Sequence, residues 1–371
     1  MMKASAMFEV NVGIEKDRIE TPALLIDLDA MERNIAKMAD YIRGVKADLR
    51  PHAKTHKCPI IAHKQIEAGA IGVCCQKLGE AEVMVNSGIK NILITNEIVS
   101  PEKIERLVNL QRHGEVIVAL DNLKVARAIS EAALRRKVKQ DVVIEIDVGI
   151  KRCGVDPGKE TLEFAKELTK FEGINLRGLL GYEGPFSDIP EFSKRKEAVH
   201  KRLRLLVETV DLLRDSGIDV EIVSAGATGT YNITAEYPGV TEIEPGSYVF
   251  MDTYYSNLEN VDFEHSLTLL TTVISRPKPD RAVLDGGLKT ITQEFGMPKF
   301  KDLEGAKILF LSEEHVNVEV SGEAKNLKVG DKVELLPSHC CTTVNLHDRY
   351  YGIRDGVLEV VWEISGRGKS R

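Results

Sequence analysis

Three short stretches of this chain gather residues that can do chemistry, and each suggests a different kind. The first, Arg50-Pro51-His52-Ala53-Lys54-Thr55-His56-Lys57, is dense in titratable groups. On an extended backbone His52 and Lys54, two apart, project to one side. A lysine partly withdrawn from water favours the neutral amine that attacks a carbonyl to form a Schiff base. A polar loop in water is the plainer alternative. The second stretch, Ser224-Ala225-Gly226-Ala227-Thr228-Gly229-Thr230, is small enough for main-chain N–H groups to converge on an anion, with hydroxyls as further donors. A tight turn without a ligand would have the same composition. The third stretch, Pro337-Ser338-His339-Cys340-Cys341-Thr342-Thr343-Val344-Asn345, carries possible metal ligands. If it is extended, His339 and Cys341 share a face and Cys340 points the other way. Two ligands cannot close a structural zinc site, which takes four. A metal held there would keep open positions for a substrate oxygen, as an ion that polarises a hydroxyl requires. The alternative is a buried cysteine pair beside a surface histidine.

The elements that must position these stretches fall into two rhythms. Strands are predicted at 48–53, 71–75, 92–95, 115–120, 142–147, 176–181, 220–224 and 247–251, with helix-sized segments such as 59–68, 79–86, 101–111 and 122–136 between them. Ser100-Pro101 marks one helix start, and Asp121 can cap the next. Apolar rather than alternating strands indicate a sheet covered on both faces. The expected fold is α/β, a closed eight-stranded (TIM-like) barrel over residues 22–255, with a doubly wound open sheet as runner-up. In such a barrel Lys54 lies at the C-terminal end of the first strand, where chemistry is placed, and the glycine turn lies late, where phosphates are held. No Gly-x-Gly-x-x-Gly follows an early strand, so dinucleotide binding has no support. Beyond residue 256, strands at 267–273, 281–285, 307–311, 316–320, 331–336 and 357–361 are joined by short connections. They form a second, mainly β domain, 256–371 with 1–21, carrying the histidine and cysteine. Residues 21–27 either pair with it or flank the barrel.

Composition excludes several classes of function. Of 371 residues, 43% are hydrophobic and 29% charged, a globular balance. The net charge of -7, without a basic stripe, argues against a nucleic-acid partner. No stretch has the apolar length of a membrane helix. Residues 1–17 lack an apolar run followed by a small-residue cleavage site, so export is not expected. The six cysteines do not form a disulfide framework, and a cytoplasmic setting is expected.

Taken in order, further motifs make the pattern specific. They are Thr21-Pro22, Arg50 to Lys54, Gly72-Val73-Cys74-Cys75-Gln76-Lys77, Thr95-Asn96-Glu97, Glu145-Ile146-Asp147-Val148-Gly149, Arg152-Cys153-Gly154-Val155, Gly246 to Asp252 and Asp285-Gly286-Gly287-Leu288-Lys289. From about Glu20 to the carboxyl end the chain resembles the D-threonine aldolase and D-serine dehydratase family, within the alanine-racemase-type pyridoxal-phosphate enzymes. The resemblance implies a homodimer with active sites near the subunit boundary. It implies that Lys54 carries pyridoxal 5'-phosphate and that Arg152 contacts the cofactor pocket or a substrate carboxylate. Tyr182 matches an aromatic at the cofactor ring, and Gly226, Thr228, Gly229, Ser247 and Tyr248 fall where the phosphate is held. His56 is taken as catalytic beside Lys54, although no step is fixed for it. His339 and Cys341 become a divalent-metal pair, with zinc favoured by the soft thiolate and manganese or magnesium as alternatives. Cysteine at the second position resembles the dehydratases, while Thr343, Asn345, His347 and Asp348 look more like the aldolases. The expected reaction is cleavage of D-threonine and related D-3-hydroxy amino acids to glycine and an aldehyde. The alternative is dehydration to a 2-oxo acid and ammonia. Racemisation gives a metal pair no task, and a non-catalytic pyridoxal-phosphate-binding protein would consist of the barrel alone.

Overall fold

The computed structural model describes residues 11–371. The expected assignment of 1–21 to the β-rich domain extends over residues 1–10, which lie outside the described residues. The described residues divide into two compact units, one mainly of residues 35–248 and one mainly of residues 11–34 and 263–367. In order it runs through β1 (Ala23–Asp27), α1 (Leu28–Arg43), β2 (Asp48–Leu49), α2 (Pro59–Glu67), β3 (Val73–Cys75), α3 (Leu78–Asn86), β4 (Asn91–Ile94) and α4 (Pro101–Leu110). It continues through β5 (Glu115–Leu120), α5 (Leu123–Arg135), β6 (Gln140–Glu145), α6 (Lys159–Leu168), β7 (Ile174–Leu180), α7 (Phe192–Asp215), β8 (Ile222–Ala225), α8 (Tyr231–Thr234) and β9 (Glu242–Ile243).

Strands β2 to β9 form one parallel sheet in the order β2-β9-β8-β7-β6-β5-β4-β3. Ile71 N donates to Leu49 O, Cys74 N to Pro51 O, and Ala53 N to Cys74 O. These bonds join the first strand to the second and close the ring, which the open doubly wound alternative would not do. Helices cover the outside, so the strands are apolar on both faces; Val116 to Leu120 are all buried. Helix starts follow local chemistry. Ser100 Oγ accepts from Lys103 N ahead of Pro101, and Asn122 Oδ1 accepts from Lys124 N and Val125 N. Asn122 therefore caps α5 instead of Asp121, whose carboxylate accepts from Gly154 N at 3.0 Å.

Two strand expectations need correction. The strand expected at 48–53 pairs regularly only over β2, because the chain turns beyond His52. The strand expected at 247–251 is not one: Ser247–Val249 is a 3-10 turn and the eighth strand is β9. Glu242 and Glu244, on either side of Ile243, look like solvent-facing residues in sequence. Both are nonetheless buried, and Glu242 is paired with Arg50 through two bonds of 2.9 and 2.8 Å.

The second unit contains β10 (Leu267–Lys278), β11 (Arg281–Leu284), β12 (Lys299–Phe300), β13 (Ala306–Leu311), β14 (Val316–Val320), β15 (Lys332–Leu336), α9 (Cys340–Val344), β16 (Arg349–Arg354) and β17 (Val357–Glu363). Its sheet runs β13-β14-β11-β10-β1-β16-β17, with β15 pairing β10 and β12. Along β14, Val316, Val318 and Val320 face the core between Asn317 and Glu319, the alternation of a sheet covered on one face. β1 pairs antiparallel with β10 and parallel with β16, so residues 21–27 take the first of their two expected options. β1 and the first turns of α1, as far as Asn34, group with the compact unit that contains this second sheet. Among the described residues, no helix is long and apolar enough to cross a membrane.

The Arg50–Glu242 pair generates a stability prediction. Glu242→Ala strands a guanidinium that is 2% exposed and should cost about 3–5 kcal/mol. Replacing both partners, as Arg50→Met with Glu242→Leu, should restore most of that loss. Urea unfolding measures both, and equal losses in the single and double variants would contradict it.

Candidate active site

The loops that follow the barrel strands carry the residues singled out by sequence. Lys54 lies in a turn, not on the extended strand expected for it: Thr55 N donates to His52 O and Lys57 N to Ala53 O. His52 still stands beside it, its Nδ1 accepting from Lys54 N at 3.4 Å and its Nε2 lying 3.1 Å from Thr95 Oγ1. Burial first, and then the Lys54 cation, hold His52 well below the usual histidine range, so it is a neutral ring. Lys57 closes the turn with a left-handed backbone, φ 51°, and an ion pair to Glu80 holds it there. His56, expected as catalytic, is fully buried, and its Nδ1 accepts from Cys58 N, where α2 begins.

Lys54 Nζ lies 5.9 Å from the centre of the Tyr182 ring, and the Arg152 guanidinium carbon lies 5.7 Å from it. Tyr182 lies two residues past β7 and Arg152 lies in the loop after β6, so the structure brings three sequence-predicted residues together. The glycine turn joins them on the same side of the sheet, at the end of β8. Tyr248 N donates to Thr228 Oγ1 at 3.1 Å, which fixes Ser247 and Tyr248 beside the turn. The buried Tyr248 hydroxyl accepts from Gln65 Nε2 at 2.9 Å. Gly226 has φ +91°, which an L side chain rarely adopts. A Cβ on Gly229 would overlap the Ser187 carbonyl, and one on Gly246 the Thr55 hydroxyl. The cradle therefore offers main chain and hydroxyls without room for more. This lining and the Lys54 amine fit a phosphorylated aldehyde, the chemistry of pyridoxal phosphate.

Two carboxylates that no motif or spacing singles out underlie this arrangement. Buried Glu183 accepts from Gly226 N at 2.8 Å, Thr230 Oγ1 at 2.6 Å and Thr234 Oγ1 at 2.7 Å, and so shapes the turn from beneath. Glu244 accepts from Ser224 Oγ at 2.7 Å. Burial pushes Glu244 up to about 7, against the opposing pulls of Ser224 and Lys54.

In the second unit, His339 precedes α9, and Cys340 and Cys341 are its first residues. The backbone is thus helical where an extended one was expected. Cys340 is fully buried, Cys341 is partly exposed, and the donor atoms of all three residues lie within 4.8 Å of one another. Asp252, fully buried, accepts from His339 Nδ1 at 2.9 Å and from Cys340 N at 3.0 Å. With Nδ1 on Asp252, Nε2 is the ring atom that a metal would take. Phe295 packs edge-on to His339 at 5.0 Å and fixes the ring plane. Burial pulls His339 down, but the Cys341 thiolate and the Asp252 bond outweigh it and raise it to about 11. An imidazole beside a thiolate is a donor set that suits a divalent transition metal. Thr292 N and Oγ1 bond to Thr343 Oγ1 at 3.3 and 3.1 Å, and His347 Nε2 bonds to Thr290 O at 2.7 Å, pinning α9 from its far side.

Comparison with known proteins agrees with both halves of this description. Residues 26–254 match the family model described as alanine racemase, N-terminal domain, and residues 266–353 match a putative serine dehydratase domain. A D-threonine aldolase of Arthrobacter sp. is 39% identical, over 95% of this chain and 94% of the relative. The crystal structure of D-threonine aldolase from Filomicrobium marinum superposes with TM-score 0.94 at 36% identity, covering 97% of this chain and 99% of that one. D-threo-3-hydroxyaspartate dehydratase from Delftia sp. HT23 gives TM-score 0.84 at 28% identity, over 94% and 98%. Solved variants of such a dehydratase include a histidine-to-alanine form and a cysteine-to-alanine form described as metal-free.

The His339–Asp252 bond yields a prediction separate from any reaction. Asp252→Asn removes the charge that orients the ring and should weaken zinc binding about 10- to 100-fold. Competition against a chelating dye measures this, and unchanged affinity would contradict the role given to Asp252.

Proposed function

Because the chain belongs to the D-threonine aldolase and D-serine dehydratase family, within the alanine-racemase-type pyridoxal-phosphate enzymes, we propose that it cleaves D-threonine and related D-3-hydroxy amino acids to glycine and an aldehyde. The observation that carries this reading is the His339–Cys341 donor pair with its orienting Asp252, for which a racemase has no use. When bound, the cofactor supplies an electron sink at Cα and the metal supplies the Lewis acidity that eases loss of the 3-hydroxyl proton.

The chain's own residues take defined parts. Lys54 Nζ would hold the cofactor and would return a proton to Cα after the Cα–Cβ bond has broken. The Tyr182 ring supports the cofactor face beside Lys54. Gly226, Thr228, Gly229, Ser247 and the main chain of Tyr248 hold the phosphate, and Arg152 holds an anionic oxygen. His339 Nε2 and Cys341 Sγ hold the metal, and the thiolate favours zinc over magnesium or manganese. His56, engaged by Cys58 N, supports the turn that presents Lys54. A homodimer in a reducing, cytoplasmic setting belongs to the same reading, and the six cysteines are thiols, not disulfides.

One observation favours a second reading. The dehydratase relatives include a cysteine variant described as metal-free, and cysteine is the second donor here. In that reading Lys54 removes the α-proton, the 3-hydroxyl leaves, and hydrolysis of the resulting enamine releases ammonia and a 2-oxo acid. Incubating protein loaded with cofactor and zinc or manganese with D-threonine and D-serine separates the two. Glycine with acetaldehyde from D-threonine is the expected result. Exclusive formation of 2-oxobutanoate and pyruvate would overturn the aldolase, and turnover that survives chelation would overturn the role of His339 and Cys341.

A further inference from the structure

A second cluster of titratable groups lies at the barrel's strand ends, beside those already described. Glu145, the last residue of β6, is 5% exposed. Glu97, in the segment after β4, faces it, and Cys153 completes a group whose donor atoms lie within 4.8 Å of one another. Arg152 places Nη2 3.5 Å from Glu145 Oε1 while its guanidinium carbon stands over Tyr182. Among the described residues, no group donates a hydrogen bond to the buried Glu97 Oε1. Asp121 and Asp147 hold the loop bearing Arg152 by accepting main-chain N–H bonds, at Gly154 and at Gly149 and Lys151 respectively.

Two carboxylates this close, with only the weak donor of the Cys153 thiol beside them, repel unless a proton bridges them. Burial, followed by the facing Glu97 charge, raises Glu145 to about 8 despite the opposing pull of Arg152. Burial and the same two carboxylates push Cys153 up to about 11, so it stays a neutral thiol at physiological pH. With one shared proton the pair carries a single negative charge against the single positive charge of Arg152. Loss of that proton doubles the negative charge beside the guanidinium. It draws Arg152 toward the carboxylates and repels any anion that Arg152 would bind.

We propose that Glu97 and Glu145 share one proton and act together as the positioning group for Arg152, keeping its guanidinium available to an anionic oxygen of the substrate or cofactor. This rests on the reading of Lys54 and Arg152 given above. The source of the anion can be told apart by two titrations from pH 7 to 9. One follows D-2-aminobutyrate, which lacks the 3-hydroxyl, binding to the holoenzyme by its change in cofactor absorbance. The other follows pyridoxal phosphate binding to the apoprotein. If Arg152 grips the substrate carboxylate, the Kd for aminobutyrate should rise about tenfold across this range. If it grips the cofactor, the same rise should appear in the second titration. Glu97→Gln, whose amide donates permanently to Glu145, should flatten the rise, and Glu97→Asp should restore it.

A wild-type protein whose two affinities are both flat would overturn the proposal, as would a rise that survives Glu97→Gln. A second zinc per chain, lost in Glu97→Gln, would also overturn it by making the cluster a metal centre. Failure of the cofactor to bind at all would count against the proposed function and not against this inference alone. Stability gives a readout free of ligand. A carboxyl raised in the folded state contributes stability that is complete below its unfolded value and lost as pH rises through about 8. Glu145→Gln should therefore flatten the fall of melting temperature over that window.

Discussion

The barrel depends on a guanidinium–carboxylate pair buried at its seam. Arg50 leaves the first strand and meets Glu242 on the last through two nearly parallel bonds, with both side chains at most 3% exposed. Neither charge could be buried alone, and the paired geometry satisfies both. The pair fixes the register in which β2 and β9 meet, Asp48 beside Glu242 and Leu49 beside Ile243. Four residues after Arg50 comes Lys54, and two residues after Glu242 comes Glu244. The positions of the amine and of the buried Glu244 carboxyl thus follow from one ion pair.

The same economy recurs around the ring. Each buried acidic group at the strand ends has a dedicated partner that holds it in place. Glu183 takes two donors from the glycine turn and one from α8, Glu244 takes Ser224, and Glu145 takes Arg152 on one side and Glu97 on the other. Such groups are costly to bury unless satisfied, and satisfying them locks the loops that bear them. The parallel sheet supplies the rigid base, and the carboxylates translate that rigidity into the placement of flexible loops.

Much of this was legible in sequence, for identifiable reasons. Strand β5 is found at its expected limits because Val116 to Leu120 are apolar without interruption and covered on both faces. β9 was not legible: a two-residue strand between glutamates has no hydrophobic period, and its burial depends on Arg50, nearly two hundred residues away. Val249, Phe250 and Met251 look like a strand but follow Pro245-Gly246, and the chain turns there instead. α9 was hidden for the opposite reason. Two cysteines, two threonines and a valine are poor helix formers, and this turn is held by Asp252 and Thr292 and not by propensity. Lys54, the glycine turn and the donor pair could be named from residue types. Asp252 lay inside a recognisable motif and Glu183 beside a chosen aromatic, but their roles are long-range contacts that no spacing reveals.

The donor pair carries the functional account furthest. His339 is oriented by Asp252 and packed by Phe295, so its Nε2 and the Cys341 sulfur would give a metal a soft, two-point grip that leaves its other positions to oxygen. The most direct measurement is zinc-edge X-ray absorption on the zinc-loaded protein. The account predicts one sulfur at about 2.3 Å and one imidazole nitrogen at about 2.0 Å, with oxygen in the other positions. A zinc shell without sulfur, or one filled by four protein nitrogens and sulfurs, would contradict it.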